Sequence, residues 1–559
     1  MLLEAAVAVL ALATAPFAVA QDPYPVTGVP VGSGVDGVPL RQNINDLQAA
    51  GGPAWDLYIR ALSAMQAAKE TDPLSYFQIE GTVPMRRLLR IHGRPFIEWD
   101  GAGSQQSTGS GWAGYCPHGE ALFVSWHRPY VMLFEQLLVS NAKQIASTYP
   151  GQYQQQYAAA AESLRAPFWD WAADSTVPAA TVPATVQVNF PNGQGLEGRS
   201  IPNPLYTYTI PPAVLTGEFG PFDAQMRSQT VRCPSPQTYP ASANGNLASR
   251  PYKQWMYDAF TRASNFSDFA VTSNSVVSLE LIHNGIHWDA ACGQQFVSPD
   301  LSAFDPLFML HHANVDRIWA YWQAIRPDQD IFQYSYPGLS RFATPEGTMI
   351  SPSSPLPPFF APQRVPLTTE SVRSIKGFGY SYTGLEYWAK SADQMKQDVT
   401  LLINSLYSSS TGSPSKRSAP RGEPVQVRRY FARVRLDRAE VEKPCQVNIY
   451  LDGKQAGSLV VMNQPAQGIM RAGLTLDEVI QASDMHTMSV DETVDAIKAA
   501  LAVKIIKADG STIDITKVPS LRVDLEHVVV TKPAANDQFP KFGTSSLLAL
   551  GDSILRKII

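Results

Sequence analysis

Seven of the nine histidines in this 559-residue chain lie between positions 92 and 312: His92, His118, His127, His283, His287, His311 and His312. His283 and His287 stand one helical turn apart, so their imidazoles leave the same face of a helix and can converge on one ion. His312 follows 25 residues after His287, on the next predicted helix, an interval that lets an antiparallel neighbour complete a set of three. His92, His118 and His127 make a second set. Facing helices that project ligands inward are how helical bundles build sites for two metals. A lone buried histidine is more often a satisfied core residue, and a lone His-x-x-x-His suggests zinc first. The stretch His283-Asn-Gly-Ile-His287, however, lacks the glutamate that follows the first histidine of zinc proteases. Six imidazoles without thiolate or carboxylate fit copper better than calcium or magnesium, and also suit zinc and iron. Spacing alone predicts a dinuclear, imidazole-bound metal site.

Longer motifs surround these residues. His118-x4-Phe123-Val-Ser-Trp126-His127-Arg128-x2-Val131-x3-Glu135 resembles the copper-A signature of type 3 copper proteins. Asp305-Pro306-Leu-Phe308-Met-Leu-His311-His312-x3-Asp316 resembles their copper-B signature. Ile91-His92-Gly93-Arg-Pro-Phe96, Leu279-Glu280-x-Ile282-His283-Asn284 and Tyr380-Ser-Tyr382 are similar to stretches of secreted fungal tyrosinases. The likeness covers nearly the whole chain after residue 20. One departure stands beside the first ligand: residues 82–90 (TVPMRRLLR) separate Ser75-Tyr-Phe-Gln-Ile-Glu-Gly81 from Ile91-His92, where similar proteins run on almost directly. These nine residues are either an extra turn, with Arg86, Arg87 and Arg90 solvated, or translated intron.

The resemblance implies a site and an activity. His92, His118 and His127 would hold one copper ion and His283, His287 and His312 the other, with His311 a neighbour that is not a ligand. Cys116 would be joined to His118 by a thioether bond, locking the ring. Glu280 and Asn284 would hold a water that deprotonates a monophenol, and Phe308 would lie over the copper-B imidazoles. Asp316, Arg317 and Trp319 would be structural, through pairing with Arg41 and stacking near Tyr380 and Tyr382. The implied reaction is ortho-hydroxylation of monophenols such as tyrosine, and oxidation of o-diphenols to o-quinones, with O2 as co-substrate and two copper ions as cofactor. A catechol oxidase acting on o-diphenols alone is the alternative, and a non-catalytic oxygen or copper carrier is disfavoured. Phenolic small molecules, tyrosine side chains of proteins and a processing protease are the implied partners. The C-terminal part would shield the copper pocket until cleavage near Lys416-Arg417.

Composition sets outer bounds. A chain with 45% hydrophobic and 17% charged residues buries a large core, and a net charge of −5 without a basic face gives no support to nucleic-acid or anionic-membrane binding. Residues 1–20 read as a secretory signal, with a short apolar run and Ala18-Val19-Ala20 before Gln21. That run is too short for a membrane span. Secretion permits disulfides, and the four cysteines Cys116, Cys233, Cys292 and Cys445 leave three pairings open by spacing. The implied thioether leaves Cys233 and Cys292 as a disulfide and Cys445 unexplained. Asn265-Phe266-Ser267 is a glycosylation sequon.

The expected fold is mainly α: a four-helix bundle holding the dinuclear site, with long surface loops, then a small antiparallel β-sandwich-like domain. Helical periodicity marks residues 55–69, 129–147, 153–164, 252–262, 276–288 and 305–325, with Pro306 suited to the first helical position, and 386–407. Residues 175–249 read as surface excursions and 351–366 as Pro-rich coil. The catalytic unit spans 21–407, a linker 408–424, and the β domain 425–559, with strands at 430–436, 446–451, 457–462, 502–506 and 521–530 and a helix near 493–501.

Overall fold

The computed structural model describes residues 23–32, 37–81, 91–92, 94, 98–101, 104–106, 114–219, 222–272, 274, 276–408 and 425–550. The signal stretch, the nine residues 82–90, and Lys416-Arg417 with most of the linker lie outside them. Helix α1 (Gly52–Ala67) buries Trp55, Leu57, Tyr58, Ile59, Ala61, Leu62 and Met65 against α2 (Phe123–Ala146). Helix α3 (Leu279–Asp289) opens at Ser278, whose side chain accepts from Leu281 N, an ordinary N-cap. Helix α4 (Leu307–Ile325) packs on α2, and α5 (Ala392–Tyr407) packs on α4.

Several sequence expectations are corrected here. Helix α2 begins six residues before Pro129 and carries that proline inside it. A proline inside a helix costs roughly 3 kcal/mol, which the burial of Phe123, Val124, Trp126 and Val131 on the same element offsets. Pro306 is the N-cap of α4 rather than its first helical residue. Helix α5 starts late because Ser391 and Gln394 form a capping box there. The 175–249 stretch contains a fully paired hairpin, Thr185–Asn192 against Gly195–Pro202, whose turn needs Gly193 at φ 58°. The Pro-rich 351–366 stretch contributes Pro355–Ala361, paired with Val365–Thr368.

An N-terminal arm laces this core together. Val26 N donates to Phe360 O, Val29 N to Phe378 O and Arg41 N to Ser381 O. The Arg41 guanidinium, buried, donates to Glu135 at 2.7 Å and to Asp316 at 2.9 Å. Tyr380 and Tyr382 also donate to Asp316, and Arg128 stacks on Trp319 at 3.6 Å. Arg317 pairs elsewhere, with Asp170 at 2.7 Å.

The C-terminal domain holds two four-stranded antiparallel sheets. Its strands are β1 (Gln426–Asp437), β2 (Cys445–Leu451), β3 (Lys454–Val461), β4 (Ile469–Thr475), β5 (Leu501–Lys507), β6 (Thr512–Ile513), β7 (Arg522–Thr531) and β8 (Lys541–Ala549). One sheet runs β4-β1-β7-β8 and the other β6-β5-β2-β3. Strands β4, β6 and β8 were not expected from sequence, and the helix there spans Val490–Ala500. Strand β3 lies against α3. Two buried arginine–carboxylate pairs cross the boundary in opposite senses: Arg262 to Glu526 at 2.9 Å and Arg429 to Asp258 at 2.9 Å. No helix among the described residues is long and apolar enough to cross a membrane.

Candidate metal centre

Three helices and two loops bring the histidines together. His127 sits in the first turns of α2, His283 and His287 on α3, and His312 on α4, while His92 and His118 lie on loops. The i, i+4 pair on α3 converges as the spacing requires, with Nε2 of His283 and Nε2 of His287 3.0 Å apart. Two nitrogens each about 2.0–2.1 Å from a shared ion, at roughly a right angle, stand about 3 Å apart. His312 stacks on His127 at 4.3 Å between ring centroids and meets His283 at 5.0 Å. The His92, His118 and His127 rings stand 5.7–6.4 Å apart, and His118 faces His283 at 5.8 Å. One nitrogen from each of His283, His287, His311 and His312 lies within 4.8 Å of the others. The second set is therefore looser than the first.

The outer nitrogens decide which rings present a lone pair inward. Nδ1 of His127 faces Phe123 O at 2.7 Å, Nδ1 of His283 faces Asn284 Oδ1 at 2.9 Å, and Nδ1 of His287 faces Phe296 O at 2.6 Å. Each acceptor fixes the proton on Nδ1 and leaves Nε2 unprotonated, the arrangement that metal-bound histidines use. Nε2 of His127 and both nitrogens of His312 are buried with no hydrogen-bond partner, a cost that an ion removes. Burial pushes all seven of these imidazoles below their ordinary range, His127 to about 3, and neighbouring histidines press most of them further. They stay neutral, as ligands must. The donor set thus fits an imidazole-bound transition metal.

The remaining predicted residues are placed as follows. Cys116 is buried, and its Sγ lies 3.8 Å from Nδ1 of His118. Cys233 and Cys292 form a disulfide, while Cys445 is a buried thiol. Phe308 packs on His312 at 4.1 Å and on His92 at 4.8 Å. Glu280 is buried, with Oε1 accepting from Gly119 N at 2.5 Å and Oε2 from Thr272 N at 3.1 Å. Burial pushes its carboxyl up, against those hydrogen bonds and the charge of Arg438. The Asn284 oxygen serves His283. Asn265 is a partly exposed N-cap, its side chain accepting from Asp268 N.

Sequence reasoning missed the C-terminal residues that meet the loop after His118. Arg438, from the turn after β1, donates to the Thr272 hydroxyl at 2.8 Å. A side chain on Gly119, at φ 72°, would meet Pro465 at 3.1 Å and Arg438 at 3.2 Å. Both residues belong to the C-terminal domain and are far in sequence from the histidines of the centre, so no local pattern marks them. Trp171, whose indole N–H donates to Nδ1 of His311 at 2.9 Å, lies 140 residues before its partner and has no ligand-type spacing to mark it.

Comparison with known proteins gives the family and the fold. Residues 84–325 match the family model described as the common central domain of tyrosinase. The chain is 34% identical to a tyrosinase of Podospora anserina over 408 residues, 68% of each chain. Its fold is similar to that of recombinant mushroom tyrosinase, with a TM-score of 0.77 at 23% identity over 95% of this chain and 99% of that one. It is also similar to an Aspergillus oryzae pro-tyrosinase mutant, with a TM-score of 0.69 at 21% identity over 97% and 100% of the two chains.

Proposed function

This chain belongs to the tyrosinase family of copper oxidoreductases, and from that premise we propose that it hydroxylates monophenols at the ortho position and oxidises o-diphenols to o-quinones. The observation that carries the reading is the pair of converging, neutral imidazoles of His283 and His287, each with its Nδ1 proton held by an oxygen. His312 completes that set, and His92, His118 and His127 form the second, carried by α2, α3, α4 and two loops. Two copper ions held there would supply dioxygen binding and electron transfer. Everything else falls to side chains of this chain.

Phe308, packed on His312, offers an apolar face for a phenol ring. A phenol has a pKa near 10, so hydroxylation needs a base, and Glu280 is the carboxylate beside the site. Its raised pKa suits it to accept and return a proton. In the covered chain both oxygens are already engaged. That engagement, by backbone N–H groups of the catalytic unit itself, favours a second reading for the uncovered enzyme, oxidation of o-diphenols alone.

The covering contacts of Arg438 and Pro465 support latency: the C-terminal domain blocks the phenol path until a protease cuts the linker near Lys416-Arg417. Secretion fits the 1–20 stretch and the Cys233–Cys292 bridge. The test is oxygen uptake with tyrosine and with a catechol, before and after limited proteolysis. Uptake with both after cleavage supports the proposal. Uptake with the catechol alone makes the chain a catechol oxidase, and no uptake with either refutes both.

A further inference from the structure

Four imidazoles, not three, crowd the α3–α4 side of the centre. His283, His287, His311 and His312 are all buried, with one nitrogen of each within 4.8 Å of the others. An ion held by four protein ligands is saturated, whereas catalytic sites keep three and leave a position open. Something must exclude one ring.

The excluded ring is identified by its outer partner. Trp171 Nε1 donates to Nδ1 of His311 at 2.9 Å, with both residues wholly buried. An indole N–H is only ever a donor, so Nδ1 of His311 is an acceptor and the proton of this neutral ring sits on Nε2. Neither nitrogen is then open to a metal: the Nδ1 lone pair is taken, and Nε2 is protonated. His127, His283 and His287 show the opposite pattern, each with Nδ1 against an oxygen acceptor. The tryptophan is itself held in place, because Trp169 N donates to Leu310 O and Phe168 N to Gln42 O. That pairing fixes the segment against the turn of α4 that carries His311.

We propose that Trp171 is a positioning residue whose hydrogen bond keeps His311 out of the ligand set, so that the ion held by His283, His287 and His312 retains an open coordination position. This rests on the metal-centre reading above and adds what keeps that centre reactive rather than closed. Replacing the indole by a ring without a donor frees His311 to change tautomer, or frees Nδ1 itself, and a fourth imidazole can bind.

The test loads the full chain with cobalt(II) alone and titrates azide, a small anion that binds only where a coordination position is open, while the visible absorption of the cobalt is followed. Wild-type protein is expected to shift with azide. Trp171→Phe is expected to lose about tenfold or more in azide affinity, and Trp171→Phe/His311→Leu to regain it, which a general packing defect would not allow. His311→Leu alone is expected to keep the wild-type cobalt content and azide response, and this arm stands whether or not the tryptophan variant folds. A Trp171→Phe protein that binds azide like wild type overturns the proposal, as does loss of cobalt in His311→Leu. A wild-type chain that takes up no cobalt sinks the metal-centre reading, and this proposal with it.

Discussion

Arg438 and Thr272 meet across the domain boundary, Nη2 donating to the threonine hydroxyl at 2.8 Å, on the shoulder of the histidine cluster. Thr272 N also donates to Glu280, so one guanidinium from the β domain touches the hydrogen-bond shell of the carboxylate nearest the chemistry.

Arg438→Ala in the full chain is therefore expected to raise activity without proteolysis. Removing a hydrogen bond made by a charged group weakens a contact by about 1.5–3 kcal/mol. Oxygen uptake with a small catechol should rise by about tenfold or more, and the cleaved enzyme should be unaffected. Unchanged uptake by the uncleaved variant, alongside normal activation of wild type by protease, would show that other contacts do the covering.

His287→Ala should leave one ion site intact. Its Nε2 lies 3.0 Å from that of His283, and the fourth imidazole of the cluster, His311, is engaged by Trp171. Copper per chain, measured by atomic absorption after dialysis, should fall by about half. Full retention of copper would mean that His287 is not a ligand.

Cys116 offers a covalent prediction. With its Sγ buried and 3.8 Å from Nδ1 of His118, joining sulfur to a ring carbon breaks one S–H and one C–H bond and releases two protons and two electrons, the electrons passing to dioxygen, the co-substrate of the proposed activity. A peptide spanning both residues, from copper-loaded protein, should be lighter by those two hydrogens than its sequence requires. The Cys116→Ser peptide should have its full calculated mass. A wild-type peptide at full mass rules the cross-link out.

Acid should destabilise the metal-free chain in a defined window. The buried histidines have folded-state pKa values pushed below 6.5, with His127 at about 3. Between those values the unfolded chain binds more protons than the folded one. Stability is thus fully present above about pH 6.5 and falls as pH drops toward 3, by up to about 1.4 kcal/mol per pH unit for each histidine. Urea midpoints of the metal-free protein between pH 7 and 4 check this, and a flat profile contradicts it.

The histidine positions were legible because ligand spacing on a helix is local: His283 and His287 need only one turn of α3 to converge. What lies across the fold was not. The Trp171–His311 bond joins residues 140 apart and the Arg438–Thr272 bond residues 166 apart, and neither leaves a periodicity. The pairing of Arg41 with Asp316 was expected only through resemblance, and Glu135 entered that cluster unannounced. Strand β8, mostly exposed, lacks the apolar alternation that betrays a half-buried strand. Strand β4, with Gly473 inside it, buries both faces and so shows no alternation either. The Thr185–Pro202 hairpin was hidden by the surrounding polar composition, although Gly193-Gln194 supplies the Gly-X loop that such a turn uses.

The arm that pairs with residues 360–381 also imposes a schedule on the ribosome. Arg41 and Tyr382 are hydrogen-bonded partners 341 residues apart. At 5–20 residues per second, synthesis of that interval takes roughly 20–70 s. Throughout that time the first-made segment has no partner strand, and Asp316 is absent for most of it. His127 of α2 emerges long before the histidines of α4. The imidazole set of α3 and α4 is therefore complete only when the chain is more than half made.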